Sequence, residues 1–293
     1  MTALLPELPL VGNQLSSLPG PCRFGVAMAT EAGPNAVKLL KAIRSAAAEA
    51  GCAITVSETG DSVSEEAAVI RALRADRVDG VLLVPSAGDD AIVNGLVRMG
   101  VPTVLVDRMA GRNDVDQVGG ENIQAMCTLV RHLADRRHRK IALISGEPGL
   151  TTSDERTLGY RLGLGRSGLR WNASLVECGQ STPAGAAAAA GRLLDSWPSP
   201  TALVVASEAM MIGVQYEVHR RGIRIGSELA VVGYGDMPWA STVESPLTTM
   251  AQPIPEIGRK AVHLLLTRIA DPERRPETVR LAPRFLHRAS CGC

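Results

Sequence analysis

Residues Glu228 to Pro253 read ELAVVGYGDMPWASTVESPLTTMAQP, and this stretch decides the fold. Leu229-Ala-Val-Val232 is an uncharged run bounded by Glu228 and Gly233, short and β-branched enough for a buried strand. Gly233-Tyr-Gly-Asp236 follows as a turn whose glycines let the backbone approach a ligand and whose Asp236 can accept hydrogen bonds. A Trp-bearing loop, Leu247-Thr-Thr249 and Gln252-Pro253 then lead into a helical pattern. In an α/β chain, a strand that ends in a Gly/Asp turn points to a ligand at the carboxyl ends of the strands.

Outward from this stretch, strands alternate with helices along the whole chain. Strand patterns at 22–29, 53–56, 78–84 and 102–106 are separated by helices. The first of these is capped by Asn35 after a turn at Thr30–Pro34, and the second opens with Glu65-Glu66, as the helix dipole favours. After a short extended piece at 116–118 and Gly119-Gly120, the alternation restarts. Helices 121–135, 154–166, 183–196 and 208–221 interleave with strands 140–144, 174–178, 201–205 and 229–232. An amphipathic helix at 254–269 and a last strand at about 278–286 complete it. Such alternation calls for parallel sheets with right-handed crossovers. At 293 residues the chain exceeds one core, so two α/β subdomains of ~120–150 residues, each a doubly wound parallel sheet, are expected.

Composition narrows the function. A net charge of +1 is too balanced for a dedicated nucleic-acid binder, and aromatics at 3% leave few rings to stack on bases or sugars. No apolar run approaches the ~20 residues of a membrane span, and the first twenty residues have no Lys or Arg for a secretory leader, so a cytoplasmic protein without membrane contact is expected. The six cysteines are dispersed and read mainly as small buried residues. Cys291-Gly-Cys293 offers two thiolates but, taken without a nearby histidine, makes a poor metal site, so neither metal nor cofactor is expected. Gly163-Leu-Gly165-Arg-Ser-Gly168 fits G-x-G-x-x-G but follows a helical stretch instead of a strand, which argues against a dinucleotide. His132 and His138 lie in the basic stretch Arg131–Lys140, read as a solvated helix end. No P-loop, nucleophile elbow or H-E-x-x-H is present, and no catalytic constellation speaks for an enzyme.

Several motifs in register resemble the effector-binding core of the lactose-repressor (LacI/GalR) family of transcription regulators. They are V-D-G-V at 78–81, V-P-T-V-x-x-D-R at 101–108, H-R-K-I-A at 138–142, R-x-x-G-Y at 156–160, V-V-G-Y-x-D at 231–236, P-L-T-T at 246–249, and Q-P with I-G-x-x-A-V from 252 to 262. The resemblance covers about Cys22 to Ser290 and implies a hinged, two-subdomain, type I periplasmic-binding-protein-like core. Residues 22–120 with 251–272 would form the first subdomain, 121–250 with 273–293 the second, and 1–21 a tail. The chain would cross between them near Gly119–Asn122, Thr249–Gln252 and Asp271–Arg275.

The resemblance also implies a ligand site. Arg156 matches the family arginine that contacts the effector, and its guanidinium fork suits paired hydroxyls or a carboxylate; without the match it reads as a surface arginine. Asp107 matches a position at the cleft mouth, though it could simply cap a turn, and Asn35, Thr152 and Ser207 sit on effector-contacting loops while being equally good N-caps. Asp236 is the carboxylate left in the Gly/Asp turn, because the family's first Asp there is Gly235. Two further departures are Ser207-Glu208 for the family's N-D, and Gln180 for an aromatic that often stacks on a sugar. These changes point to a polar, even anionic, small effector, with sugar as the broad default.

Family repressors carry a helix-turn-helix head and a hinge helix, but only about twenty residues precede Arg23 and four of them are proline, so operator DNA would be a partner only with a head upstream. A homodimer is implied, with the helix at 254–269 as one candidate surface. A solute-binding protein of a transport system shares the fold and is the alternative.

Overall fold

The computed structural model of the chain describes residues 22–29, 33–88 and 90–293. The tail at 1–21 lies outside them, as does most of the turn expected at Thr30–Pro34. The first lobe is built on β1 (Arg23–Met28), α1 (Pro34–Glu49), β2 (Ala53–Glu58), α2 (Val63–Ala75), β3 (Gly80–Leu83), α3 (Ala91–Arg98), β4 (Thr103–Val106) and β5 (Asp116–Gly120). The second follows with α4 (Ile123–Asp135), β6 (Ile141–Ser145), α5 (Thr151–Arg166), β7 (Val176–Cys178), α6 (Pro183–Asp195), β8 (Ala202–Val205), α7 (Glu208–Arg220), β9 (Ala230–Tyr234) and β10 (Thr248–Ala251). Then come α8 (Ile254–Ala270), β11 (Thr278–Leu281) and β12 (Arg284–Leu286).

Two sheets result, in the orders β11-β5-β4-β3-β1-β2 and β12-β10-β9-β8-β6-β7. Both are parallel except at β12, which runs antiparallel to β10. Alternate residues of the first sheet serve opposite faces, as the strand period demands. Phe24, Val26, Met28 and Leu82 pack under α1 and α8, whereas Ala27, Val81 and Leu83 pack under α2 and α3. The second lobe has one continuous core, in which the short buried run Ala230-Val-Val232 lies at its centre.

The chain crosses between lobes at Glu121-Asn122, at Gln252-Pro253 and at Ala282-Pro283. The third corrects the boundary expected at Asp271–Arg275 and the single strand read at 278–286. Thr278–Leu281 pairs with β5 in the first sheet, and only Arg284–Leu286 joins the second. Pro283 supplies no N–H to a ladder, so one continuous strand cannot run through it. The second lobe is therefore completed by residues from 284 onward, not from 273.

Two other expectations change. Helix α1 begins at Pro34 with Gly33 in the cap position, so Asn35 is inside the first turn and does not cap it. Helix α8 buries Ile254, Ile257, Ala261, Val262 and Leu264–Leu266 against the first lobe, so its apolar stripe is core rather than a dimer surface. Gly163 to Gly168 lies at the end of α5 and in the turn after it, away from any strand end.

Candidate functional site

Between the lobes lies a narrow cavity of about 120 Å³, below the ~300 Å³ at the low end for drug-sized ligands. Asn35, Asp107, Thr152, Arg156 and Ser207 all line it, together with Arg108, Ser153, Ser181, Glu208 and Gln252. The N-terminal turns of α1, α5 and α7 open onto it, each presenting backbone N–H groups and the positive end of a helix dipole. Helix α5 starts at Thr151, a turn earlier than the sequence pattern suggests, and this brings Thr152 and Ser153 to the cavity wall.

Arg156 is only 9% exposed. Its Nε donates to Asn122 Oδ1 at 2.9 Å, its Nη1 donates to the Ala206 carbonyl at 2.9 Å, and its Cζ lies 3.9 Å from the centre of the Tyr234 ring. Asn122, at the first crossing, in turn donates to Glu155 at 2.7 Å. The guanidinium is thus held by neutral groups on two edges and by a π-face, while Nη2 has no protein hydrogen bond among the described residues. Tyr234 Oη is buried with no well-aligned hydrogen bond, although Gln252 and Arg156 lie close enough to lower its pKa a little; burial dominates and pushes it up to about 12, so it remains a phenol able to donate.

Asp107 follows β4 in the left-handed region, at φ 64°, a conformation Asp tolerates better than most residues. Its Oδ1 is buried with no hydrogen-bond partner among the described residues. A buried carboxylate oxygen without a donor is costly, and in a cavity wall it marks where a ligand hydroxyl or amide would sit. Arg108 beside it is engaged by Asp61 and by the Pro85 carbonyl, at 3.1 Å. Ser207 caps α7, accepting from Met210 N at 3.4 Å, while also facing the cavity.

Asp236 does not line this cavity but the adjoining cleft, which shares Asn35, Glu208 and Gln252 with it. Arg288 clamps its two oxygens at 2.7 and 3.0 Å, and Thr249 Oγ1 donates to it at 2.7 Å. Burial pushes the Asp236 carboxyl up, but the Arg288 and Thr249 hydrogen bonds outweigh this and hold it below the usual carboxylate range. Most of its acceptor capacity is taken up within the second lobe.

Glu208, which sequence reasoning noted only as a departure, is 4% exposed and links the lobes. Lys38 of α1 donates to its oxygens at 3.0 and 3.2 Å, and to the Asp236 carbonyl at 3.1 Å. Burial raises the Glu208 pKa, and Lys38 offsets only part of that rise. Gly235, at φ 98°, lies directly against it, where a Cβ would overlap the Glu208 side chain. The two departures are therefore one: Glu208 fills the space that a side chain at 235 would need. Asn35 contacts the Gln252 amide at 2.6 Å, and with its amide turned over its nitrogen lies 3.0 and 3.1 Å from the Glu208 oxygens. Arg280 of β11 bonds Glu155 of α5 at 2.6 Å, a second tie across the gap.

Residues 130–291 match the periplasmic binding protein-like domain. The regulator CelR of Thermobifida fusca is 32% identical over 237 residues, covering 80% of this chain and 70% of CelR. The chain belongs to the LacI-type transcription regulators. The ribose operon repressor of Escherichia coli K12 is 27% identical over 268 residues, 91% of this chain and 81% of the repressor. Among solved structures, a CelR–cellobiose complex superposes with a TM-score of 0.85 at 28% identity, covering 94% of this chain and 87% of that one. A LacI family regulator from Mycobacterium smegmatis gives 0.80 at 26% identity, covering 91% and 98%. These relatives are transcription regulators, which favours a regulator core over the solute-binding protein of a transport system. Among the described residues no helix is long and apolar enough to cross a membrane.

Proposed function

We propose that this LacI-type core senses a small polyhydroxylated metabolite held between its lobes, and that closure over it alters the operator affinity of a complete, homodimeric regulator. The observation that carries this reading is unspent hydrogen-bonding capacity converging on one cavity. Asp107 Oδ1 is a buried acceptor without a donor, and Arg156 Nη2 is a held cation with donors to spare. A carboxylate that accepts and a guanidinium that donates suit neighbouring hydroxyls, each of which does both. The cavity walls carry both signs of charge, from Arg156 and Arg108 to Asp107 and Glu208, which favours a neutral polar ligand over the anionic one considered from sequence. Among the described residues no aromatic ring lines the cavity, so a pyranose would be held by hydrogen bonds along its rim. CelR is seen with cellobiose, which supports a sugar, while the narrowness of this cavity favours a single ring over two.

Closure is the coupling step. The Lys38–Glu208, Asn35–Gln252 and Arg280–Glu155 contacts join the lobes, and a ligand bridging them shifts the population toward this closed form. Titration calorimetry against monosaccharides, sugar phosphates, nucleosides and nucleobases tests the proposal. One class should bind, and Arg156→Ala should weaken it roughly hundredfold, about 2.7 kcal/mol. No binder in the panel, or affinity unchanged in Arg156→Ala, sinks it. Sedimentation of the free chain tests the dimer.

A further inference from the structure

The Cys291-Gly-Cys293 pair, dismissed from sequence as lacking histidine, meets two histidines in the fold. His287 follows β12, His132 lies in the last turn of α4, and the ligand atoms of His132, His287, Cys291 and Cys293 all lie within 4.8 Å of one another. His287 Nε2 is 3.0 Å from Cys293 Sγ, and the two sulfurs are 2.6 Å apart. We propose that His132, His287, Cys291 and Cys293 form a tetrahedral site for a borderline-soft divalent cation of the zinc class, pinning the 284–293 segment to α4 in the second lobe.

The donor set is what such a cation selects, two thiolates and two imidazoles. With metal–sulfur bonds of about 2.3 Å and metal–nitrogen bonds of about 2.0–2.1 Å, tetrahedral donors stand roughly 3.3–3.8 Å apart. The cluster brackets that range, and loading requires the sulfurs to part by about 1 Å. The backbone is arranged for it. Gly292 is left-handed, φ 80° and ψ 34°, which turns the chain between the cysteines so that both sulfurs face the same point. Cys291 is fully buried, and Thr248 Oγ1, which lies 2.8 Å from the Arg288 carbonyl, also stands 3.3 Å from the Cys291 sulfur, within reach as an outer-sphere partner once a thiolate forms there. The His132 ring is fixed edge-on against Phe285, 5.0 Å between centres, and stands 5.2 Å from His287.

Loading the cluster requires small rearrangements of the groups that face it. His132 is half-buried, with Arg136, Asp135 and His287 around it. Arg136 Nε lies 3.3 Å from His132 Nε2 and must turn aside, or the ring must bind through its other nitrogen. Binding as thiolates, Cys291 and Cys293 would release their protons to solvent on loading.

Cobalt(II) titration of the reduced, chelator-treated full chain reads the site directly. One equivalent should produce tetrahedral d–d bands with thiolate-to-metal charge transfer, and zinc should bleach them. Cys293→Ser should abolish the charge-transfer band, and His132→Ala should weaken binding at least tenfold. Cys178→Ser, outside the cluster, should change neither, and circular dichroism confirms each variant is folded. Zinc should raise the melting temperature of the parent but not of Cys293→Ser. No cobalt band in the fully reduced chain, or a band that survives Cys293→Ser, overturns the site. So does a Cys291–Cys293 disulfide whose reduction restores thiols but no cobalt binding. None of these readouts depends on the effector in the cleft.

Discussion

Asp107 and Asp236 occupy comparable places, each just beyond the carboxyl end of a central strand, one in each lobe. Their surroundings differ in kind. Asp236 has an arginine on both oxygens and a threonine on one, so most of its acceptor capacity is used by the protein. Asp107 leaves a buried oxygen with nothing to accept from. The arginines divide in the same way: Arg288 neutralises a carboxylate, while Arg156 is held by an amide, a carbonyl and a ring. Charge type alone does not separate a binding group from a structural one. Unused hydrogen-bonding valence in a concave, buried place does.

The comparison can be broken at several points. Arg288→Ala should cost about 2–3 kcal/mol of stability, less than the ~3–5 for a fully buried pair because both groups keep some contact with water. Urea melts measure it, and the surviving folded fraction should bind effector with little change. Asp107→Asn should do the opposite. It keeps the left-handed backbone and loses no protein partner, so stability should move by less than about 0.5 kcal/mol, while effector affinity falls about tenfold, near 1.4 kcal/mol. If Asp107→Asn unfolds the protein and leaves affinity alone, the assignment of roles is reversed.

Glu208 sharpens the comparison through pH. Its folded pKa is raised above the ordinary 4.5, so between that value and the raised one the folded state holds more proton than the unfolded chain. That contribution to stability is present below pH 4.5 and is lost as pH rises through the folded pKa. Glu208→Gln removes the titration, so the stability of wild type relative to the variant should decline as pH climbs above 4.5. Asp236 has the reverse sign: its lowered pKa gives stability present above 3.8 and lost as pH falls through the folded value. Parallel denaturant melts of Glu208→Gln and wild type across this range separate the two. A flat difference would mean that Lys38 fully compensates the burial of Glu208. The smallest effect is expected at Ser207, where Ala removes a long cap bond worth about 0.5–1 kcal/mol and barely alters effector binding.

Much of this was legible in the sequence. The β-branched run at 229–232 and the strand–helix alternation read through to two parallel sheets, because period and length are local properties. Pro283 carried the signal that would have split the last strand, yet which sheet each piece joins depends on edges far away in the chain. Arg156 and Asp107 were reachable only through the resemblance, since nothing local shows that an arginine on a helix will lack a carboxylate. Tyr234, Gln252 and Asn122 were missed as site residues for that reason: they gain their meaning from Arg156 and from the crossings. The Glu208–Gly235 complementarity and the His132–Cys291 proximity are likewise tertiary facts, joining residues that sequence spacing keeps apart.

A crystal structure of the chain with the effector found by titration tests the central claim most directly. Ligand oxygens should lie about 3 Å from both Asp107 Oδ1 and Arg156 Nη2, with the Asp236–Arg288 pair intact beside them. A ligand seated on Asp236, or one that leaves both Asp107 Oδ1 and Arg156 Nη2 without a partner, would contradict it.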